Sequence, residues 1–133
     1  SDEQLRACGV SGNKVLALRD LARREAAGEI PLARQLQYLS NERIIEMLVP
    51  TRGIGRWTVE MMLMFRLGRP DVLPIDDLGI RKGAQLLDAL DAMPSPKELM
   101  QRGQAWSPNQ TMASFYLWRI ADFSKESVKR SQD

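Results

Sequence analysis

Residues 49–58 read VPTRGIGRWT and lie between two apolar segments that have the periodicity of helices. Pro50 followed by Gly53 and Gly55 predicts a tight turn between these helices, because glycine tolerates the left-handed backbone conformation that such a turn needs. The second helix would then begin close to Gly55, and its first N–H groups would have no intrahelical acceptor. Backbone donors at a helix N-terminus form a site for an anion. The stretch therefore predicts a hairpin of two helices that can hold a phosphate group.

Two arginines flank this turn and fit the same interpretation. Arg52 and Arg56 would place positive charge beside the backbone donors, where the glycines leave space for a phosphate group. The sequence leaves open the alternative that Arg52, Arg56 and the later Arg69 are ordinary solvated surface charges. The residues predicted to bind phosphate are Thr51, Arg52, Gly53, Ile54, Gly55 and Arg56.

The composition limits the chemistry that the 133 residues can perform. The chain contains no His, which is the commonest general base and zinc ligand. Its one cysteine, Cys8, excludes an intramolecular disulfide and a Cys-rich metal cluster. No apolar run is long enough to cross a bilayer, so we expect no membrane partner. The net charge of +2 is small, and any nucleic-acid interface must therefore be a local patch.

Apolar periodicity and capping signals predict an all-α chain without strands or repeats. Ser40 is a predicted N-cap, and Ser95 with Glu98 forms a predicted capping box. The expected helices cover residues 2–8, 12–27, 31–37, 41–49, 55–67, 77–90, 96–105 and 110–123. The helix at 55–67 is apolar nearly all round and is expected to be buried at the centre of its domain. We expect one compact helical domain over residues 1–124 and a polar tail over 125–133.

Three stretches together resemble one known family. Residues 50–58 resemble the helix-hairpin-helix of the HhH-GPD DNA glycosylase superfamily. Residues 67–81, LGRPDVLPIDDLGIR, resemble the loop and catalytic aspartate of its 3-methyladenine, or alkylation-repair, branch. Residues 106–108 and 116–119 resemble the last helix of that branch. The resemblance covers roughly residues 4–122, and the order of the three motifs makes it specific.

Asp77 is the expected catalytic residue on this resemblance. A carboxylate stabilises the positive charge that develops on the sugar as the N-glycosidic bond breaks, and it can orient the attacking water. We prefer Asp77 to Asp76 because the family aspartate is followed, three residues on, by an aliphatic residue and then by a basic or aromatic one. Asp77 has Ile80 and Arg81 at those positions. The alternative interpretation is that Asp77 is the N-cap of the following helix, and the two roles are compatible.

The resemblance assigns Trp57, Trp118 and Tyr116 to the pocket for the extruded base. Trp57 stands where family members that also cleave the strand carry a Schiff-base lysine, which implies a monofunctional enzyme that uses water. Trp118 matches the tryptophan that faces the extruded base, and a cationic alkylated purine would gain stacking and cation–π energy there. The alternative for these three residues is a place in the helical core.

The resemblance thus implies a monofunctional DNA glycosylase of base excision repair. It would flip alkylated purines such as 3-methyladenine and 7-methylguanine out of duplex DNA and hydrolyse the N-glycosidic bond. The expected partner is double-stranded DNA with alkylated bases, and we expect a monomer with no cofactor. Family hairpins often hold a monovalent cation with backbone carbonyls, and no other metal is expected. The expected location is the bacterial cytoplasm, with the nucleoid, or the nucleus in a eukaryote.

Two other functions remain as alternatives. A non-catalytic helix-hairpin-helix module would bind the DNA backbone with strong salt dependence and without regard to lesions. An all-α protein-interaction domain would bind no DNA and would use the glycines only for a turn. The Asp77 motif and the Trp118 helix favour the glycosylase, because a module that only binds needs neither.

The chain departs from the family pattern in two respects. Asn109 and Gln110 stand where relatives usually carry a basic pair, so a contact with DNA is in question. The family segment that supplies an intercalating wedge and one wall of the pocket has no counterpart in the sequence. We therefore expect the chain to be a fragment of a longer glycosylase, with reduced or absent activity on its own.

Overall fold

The computed structural model describes residues 1–130, with side chains up to residue 124. Within these residues the chain is helical and has no strand, so the predicted all-α class is confirmed. A short 3-10 turn at Gln104–Trp106 lies between the last two helices. The helices are α1 (Asp2–Ala7), α2 (Gly12–Ala26), α3 (Ala33–Leu36), α4 (Asn41–Leu48), α5 (Arg56–Phe65), α6 (Leu78–Leu87), α7 (Pro96–Gly103) and α8 (Gln110–Arg130).

Local hydrogen bonds explain where several helices begin and end. The Ser40 hydroxyl accepts from the Arg43 N–H at 3.2 Å and caps α4 as predicted. The Ser95 capping box is present as well: Ser95 N–H donates to the Glu98 carboxylate at 2.7 Å. Gly28 follows α2 with a φ of 71°, a conformation that glycine adopts without strain.

The last helix is longer than the sequence predicts. α8 continues to Arg130, whereas the predicted end was residue 123. The predicted polar tail covers residues 125–133. The side chains of 125–130 and the whole of 131–133 lie outside the described part of the chain. The predicted extent of the domain, residues 1–124, stays a prediction.

The chain folds as two compact units, and their division falls within α5. The first unit is Ser1–Met62, and the second begins at Leu63. α1 to α4 belong to the first unit, where one face of α4 is buried through Ile44, Ile45 and Leu48.

The core of the second unit forms where α6 packs on α8. Leu73, Ile80, Ala84, Leu99 and Leu117 make up this buried cluster, and Trp106 and Trp118 pack against it from partly exposed positions. The two helix backbones approach closely at Gly83, because a Cβ atom there would lie 2.1 Å from the Leu117 carbonyl oxygen. This close approach brings the N-terminus of α6 beside the middle of α8.

The prediction that α5 is buried all round is wrong. Val59, Leu63 and Met64 are buried, but Trp57 is 49% exposed and Phe65 is 61% exposed. An apolar sequence states which residues can be buried, and the packing decides which of them are covered. Two large aromatic side chains of α5 therefore remain open to solvent.

Candidate functional site

The predicted hairpin is present in the first unit, between α4 and α5. Thr51 N–H donates to the Leu48 carbonyl and Ile54 N–H donates to the Thr51 carbonyl, both at 3.0 Å, which closes the turn. Gly53 has a φ of 77°, and a Cβ atom there would lie 3.2 Å from the Ala17 side chain. The backbone conformation therefore favours glycine at position 53, and the tight space beside Ala17 adds to that preference.

Asp20 of α2 forms a hydrogen bond with the backbone of the hairpin. Its carboxylate accepts the Arg52 backbone N–H at 2.8 Å and the side chains of Arg23 and Arg24 at 2.9 and 3.0 Å. These bonds, the Arg52 N–H first, hold the pKa of the Asp20 carboxyl well below its usual range. One donor that we expected a phosphate group to use is thus already occupied by a carboxylate.

Arg56 is likewise engaged, through two glutamates. Its Nη2 and Nη1 atoms donate to Glu42 of α4 at 2.7 and 3.3 Å, and its Nε donates to Glu60 at 3.0 Å. The hydrogen bonds with Glu42 raise the pKa of the Arg56 guanidinium and lower that of the Glu42 carboxyl. Arg56 is therefore an ion-paired side chain at the surface, and its guanidinium is not open to a phosphate group in this structure.

The remaining hairpin positions divide by accessibility. Thr51 is buried, and its hydroxyl has no hydrogen-bond partner among the described residues. Ile54 is half-buried, while Gly53 and Gly55 are exposed. Gly55 directly precedes α5 and Arg56 is its first residue, so helix geometry provides no intrahelical acceptor for their N–H groups. The backbone at 55–56 is thus the part of the hairpin best suited to an anion.

The loop that leads to Asp77 is fastened to α8 in the second unit. The Thr111 hydroxyl accepts the Val72 N–H at 3.1 Å and donates to the Arg69 carbonyl at 2.6 Å. Ser114 donates its hydroxyl to the Val72 carbonyl at 3.1 Å. Thr111 and Ser114 are both buried, so these bonds hold the loop in place without competition from water.

Asp77 and Trp118 are brought together across α6 and α8. Asp77 Oδ1 accepts the Ile80 N–H at 2.9 Å, which makes Asp77 the N-cap of α6. The same oxygen accepts the Trp118 indole N–H at 2.9 Å. Asp77 is half-buried, whereas its neighbour Asp76 is exposed. The N-cap interpretation of Asp77 is therefore correct, and its catalytic role stays a prediction.

An aromatic cluster surrounds the indole of Trp118. The ring of Trp118 lies 6.2 Å from that of Phe65 and 6.1 Å from that of Phe115, at interplanar angles of 17° and 25°. Phe65 and Phe115 are 5.5 Å apart. Because Phe65 is 61% exposed, this cluster offers an open aromatic surface next to Asp77.

Of the other two aromatic residues predicted for the base pocket, Tyr116 lies outside this cluster. Tyr116 is 66% exposed and lies in an apolar groove of about 430 Å³ with Trp106 and Met112, a different face of α8 from Trp118. Trp57 belongs to the first unit and is 49% exposed, so its alternative interpretation as a core residue is wrong.

The family of the chain follows from a comparison with known proteins. The model of the HhH-GPD superfamily of base excision DNA repair proteins matches residues 1–109. The chain belongs to the HhH-GPD superfamily.

Curated relatives carry the name of the 3-methyladenine branch. DNA-3-methyladenine glycosylase 1 of Schizosaccharomyces pombe is 42% identical over 126 residues, which are 92% of this chain and 55% of that protein. The putative DNA-3-methyladenine glycosylase YfjP of Bacillus subtilis is 37% identical over 100 residues, 75% of this chain and 34% of that protein. This HhH-GPD chain therefore spans about half, or less, of the length of these relatives.

Solved structures agree with that assignment. The Schizosaccharomyces pombe 3-methyladenine DNA glycosylase Mag1, in complex with abasic DNA, matches with a TM-score of 0.78 and 42% identity, over 90% of this chain and 58% of that one. A DNA-3-methyladenine glycosidase from Bacillus halodurans matches with a TM-score of 0.85 and 38% identity, over 95% of this chain and 58% of that one. The predicted resemblance to the 3-methyladenine branch is confirmed.

The structure gives one of the two departures from the HhH-GPD pattern a local role. The Gln110 N–H donates to Asp71 at 3.2 Å, and the Gln110 side chain donates to the Gly103 carbonyl at 2.9 Å. Asp71 also accepts the Ser107 hydroxyl at 2.7 Å. Gln110 thus connects the start of α8 to the preceding turn through hydrogen bonds. The effect of Asn109 and Gln110 on DNA contact stays a prediction.

Sequence reasoning missed four residues that shape these sites. Asp20, Glu42 and Glu60 engage the hairpin, and Phe65 adds an exposed ring beside Trp118. Only the i, i+4 spacing of Glu60 and Arg56 could have been read as a signal. No group of three or more His, Cys, Asp or Glu among the described residues is placed to hold a metal ion. No helix in that part of the chain is long and apolar enough to span a bilayer.

Proposed function

We propose that this chain carries the catalytic aspartate of a monofunctional DNA glycosylase that excises alkylated purines from duplex DNA. The observation that supports this most strongly is the Asp77–Trp118 hydrogen bond, which joins the predicted catalytic carboxylate to the predicted base-facing indole. An N-cap that only starts a helix needs no indole partner. The names of the relatives, DNA-3-methyladenine glycosylases, support the same reaction.

Loss of an alkylated purine requires little catalytic assistance from the protein. The alkylated purine is cationic and leaves with the electron pair of the bond to C1′, so no strong general acid is required. The Asp77 carboxylate stabilises the positive charge that develops on the sugar and orients the water that attacks C1′. Phe65 and Trp118 offer ring faces on which a cationic base can stack.

The hairpin would hold the DNA strand through its backbone. The N–H groups at residues 55 and 56 lie at the start of α5, and such contacts fix register without reading sequence. A complex of Mag1 with abasic DNA supports DNA as the partner. The choice of 3-methyladenine and 7-methylguanine, base flipping, the monomeric state and the cellular location remain predictions.

The test measures release of 3-methyladenine and 7-methylguanine from methylated duplex DNA. It uses this chain, the longest version of the protein that can be expressed, and Asp77→Asn and Asp76→Asn of each. Asp77→Asn should lower release by about 100-fold or more, because it removes charge stabilisation in the transition state. Asp76→Asn is the matched control and should retain activity, since Asp76 is an exposed neighbour of the same charge.

Two results would contradict the proposal. Full excision by Asp77→Asn would remove Asp77 from the reaction. Binding of lesion-containing and undamaged DNA with equal affinity, with no base released by either length of protein, would establish the non-catalytic binding module instead.

A further inference from the structure

The first turn of α6 holds a contact that helix capping alone does not require. Asp77 Oδ1 accepts two N–H groups at 2.9 Å each, one from the backbone of Ile80 and one from the indole of Trp118. Trp118 comes from α8, 41 positions later in the chain. Two donors from different directions fix the rotation of a carboxylate far better than one donor does.

Gly79 makes this contact possible. Its backbone is helical, so the glycine is not needed for a left-handed conformation. A Cβ atom at Gly79 would lie 2.9 Å from Trp118 Cδ1, 3.2 Å from Trp118 Nε1 and 3.1 Å from Asp77 Oδ1. The first of these distances is shorter than Cβ atoms show in folded proteins, and the other two are tighter than nine in ten such contacts. A side chain at position 79 would therefore displace the indole, the carboxylate or both from the positions that they have here.

The indole cannot yield easily to such a side chain. Trp118 packs against the rings of Phe65 and Phe115 and also against the core of the second unit. Gly83, one turn further along α6, faces the Leu117 backbone so closely that the two helices are held at this separation. The space over Gly79 is thus set by the packing of α6 on α8.

We propose that Trp118 is a positioning residue for Asp77, that its indole N–H orients the catalytic carboxylate, and that Gly79 provides the space this requires. The catalytic part of this inference rests on the proposed function, whereas the contact itself does not. Trp118 would therefore act on the reaction through Asp77, in addition to offering a ring face to the base.

The first experiment detects the contact without any catalysis. The chain has three tryptophans, so its indole N–H groups give few signals in a ¹⁵N-correlated NMR spectrum, and Trp118→Phe identifies the signal of Trp118. We expect Asp77→Asn to shift this signal, because the substitution replaces the carboxylate that accepts the indole N–H. Gly79→Ala should move the signal toward its position in Asp77→Asn.

Gly12→Ala is the matched control for Gly79→Ala. Gly12 also lies in the first turn of a helix, and a Cβ atom there would meet nothing within 4 Å. This variant should leave the Trp118 signal where it is in the parent protein. A Trp118 signal that does not respond to Asp77→Asn would overturn the contact.

The second experiment measures base release under single-turnover conditions, together with affinity for abasic DNA. Gly79→Ala should slow release by about 10- to 100-fold, as expected for a displaced catalytic group, and leave the affinity within about twofold. Trp118→Phe keeps an aromatic ring but loses the N–H that orients Asp77, so it should also slow release and leave the affinity for abasic DNA within about twofold.

The outcomes separate the two ideas. Unchanged release by a folded Gly79→Ala or by a folded Trp118→Phe would refute the positioning role. If the parent protein releases no base but Asp77→Asn shifts the Trp118 signal, the proposed function is refuted and the contact is supported. Thermal unfolding of both variants shows whether any loss of activity reflects a loss of folding.

Discussion

Glu42→Gln should strengthen DNA binding, because Glu42 holds an arginine of the hairpin. The Glu42 carboxylate accepts hydrogen bonds from both terminal nitrogens of Arg56, at 2.7 and 3.3 Å. These are the two nitrogens with which an arginine side chain binds a phosphate group. The substitution leaves Arg56 held by Glu60 through Nε, at 3.0 Å, with its terminal nitrogens available to DNA. A side chain that is already positioned loses little freedom when it binds.

The size of the effect follows from the exposure of the pair. The side chains of Arg56 and Glu42 are 44% and 66% exposed, and exposed ion pairs contribute about 0.2–1 kcal/mol. Since about 1.4 kcal/mol corresponds to a tenfold change, affinity should rise by between about 1.4- and 5-fold. One additional phosphate contact should also steepen the dependence of log K on log salt by about 0.9.

The assay is a fluorescence-anisotropy titration of duplex DNA at several salt concentrations. Glu46→Gln is the matched control, because Glu46 lies on the same helix, pairs with Arg43 at 3.1 Å and changes the net charge equally. Arg56→Ala should abolish the gain from Glu42→Gln in the double variant. Equal gains from Glu42→Gln and Glu46→Gln would refute the reasoning, since net charge alone would then explain them.

Three further predictions concern stability and can be measured by urea unfolding. Gly83→Ala should destabilise the protein by about 1–3 kcal/mol or more, because its Cβ atom would lie 2.1 Å from the Leu117 carbonyl oxygen and neither backbone can easily move; an unchanged midpoint would contradict the close approach of α6 and α8. Leu99→Ala should cost about 2–5 kcal/mol, because Leu99 is fully buried in the core of the second unit, and a smaller loss would indicate that the core refills the cavity. The hydrogen bonds of Asp20 lower its pKa, so the stability that they provide is present above the unfolded pKa of about 3.9 and is lost as the pH falls further. The difference in the free energy of unfolding between the parent and Asp20→Asn should therefore narrow below about pH 4. A difference that does not depend on pH would contradict the bond to Arg52.

The elements that the sequence predicts well are those set by short-range interactions. The caps at Ser40 and Ser95 and the helix stop at Gly28 involve residues at most a few positions apart, so the amino-acid types at those positions determine them. The hairpin belongs to the same class, because Gly53 adopts its positive φ within a single turn. Helix positions consequently agree with the structure to within a few residues, apart from the end of α8.

The contacts that shape the site join residues far apart in sequence, and no local pattern encodes them. Asp20 binds the hairpin from 32 positions away, and Trp118 binds Asp77 from 41 positions away. The chain has 17 acidic and 19 basic residues, so many ion pairs are chemically equivalent on paper. Only the packing of the helices selects Glu42 as the partner of Arg56. The same limitation hid the exposure of Phe65.

The cap and the catalytic interpretations of Asp77 require the same geometry, which is why sequence could not separate them. A carboxylate that accepts the Ile80 N–H lies at the positive end of α6, and that end favours the anion. Asparagine caps a helix about as well as aspartate but carries no charge. Asp77→Asn should therefore leave stability within a few tenths of a kcal/mol while excision is lost. A variant that lost stability and activity together would reduce Asp77 to a cap, and the hydrogen bond from Trp118 would then serve folding alone.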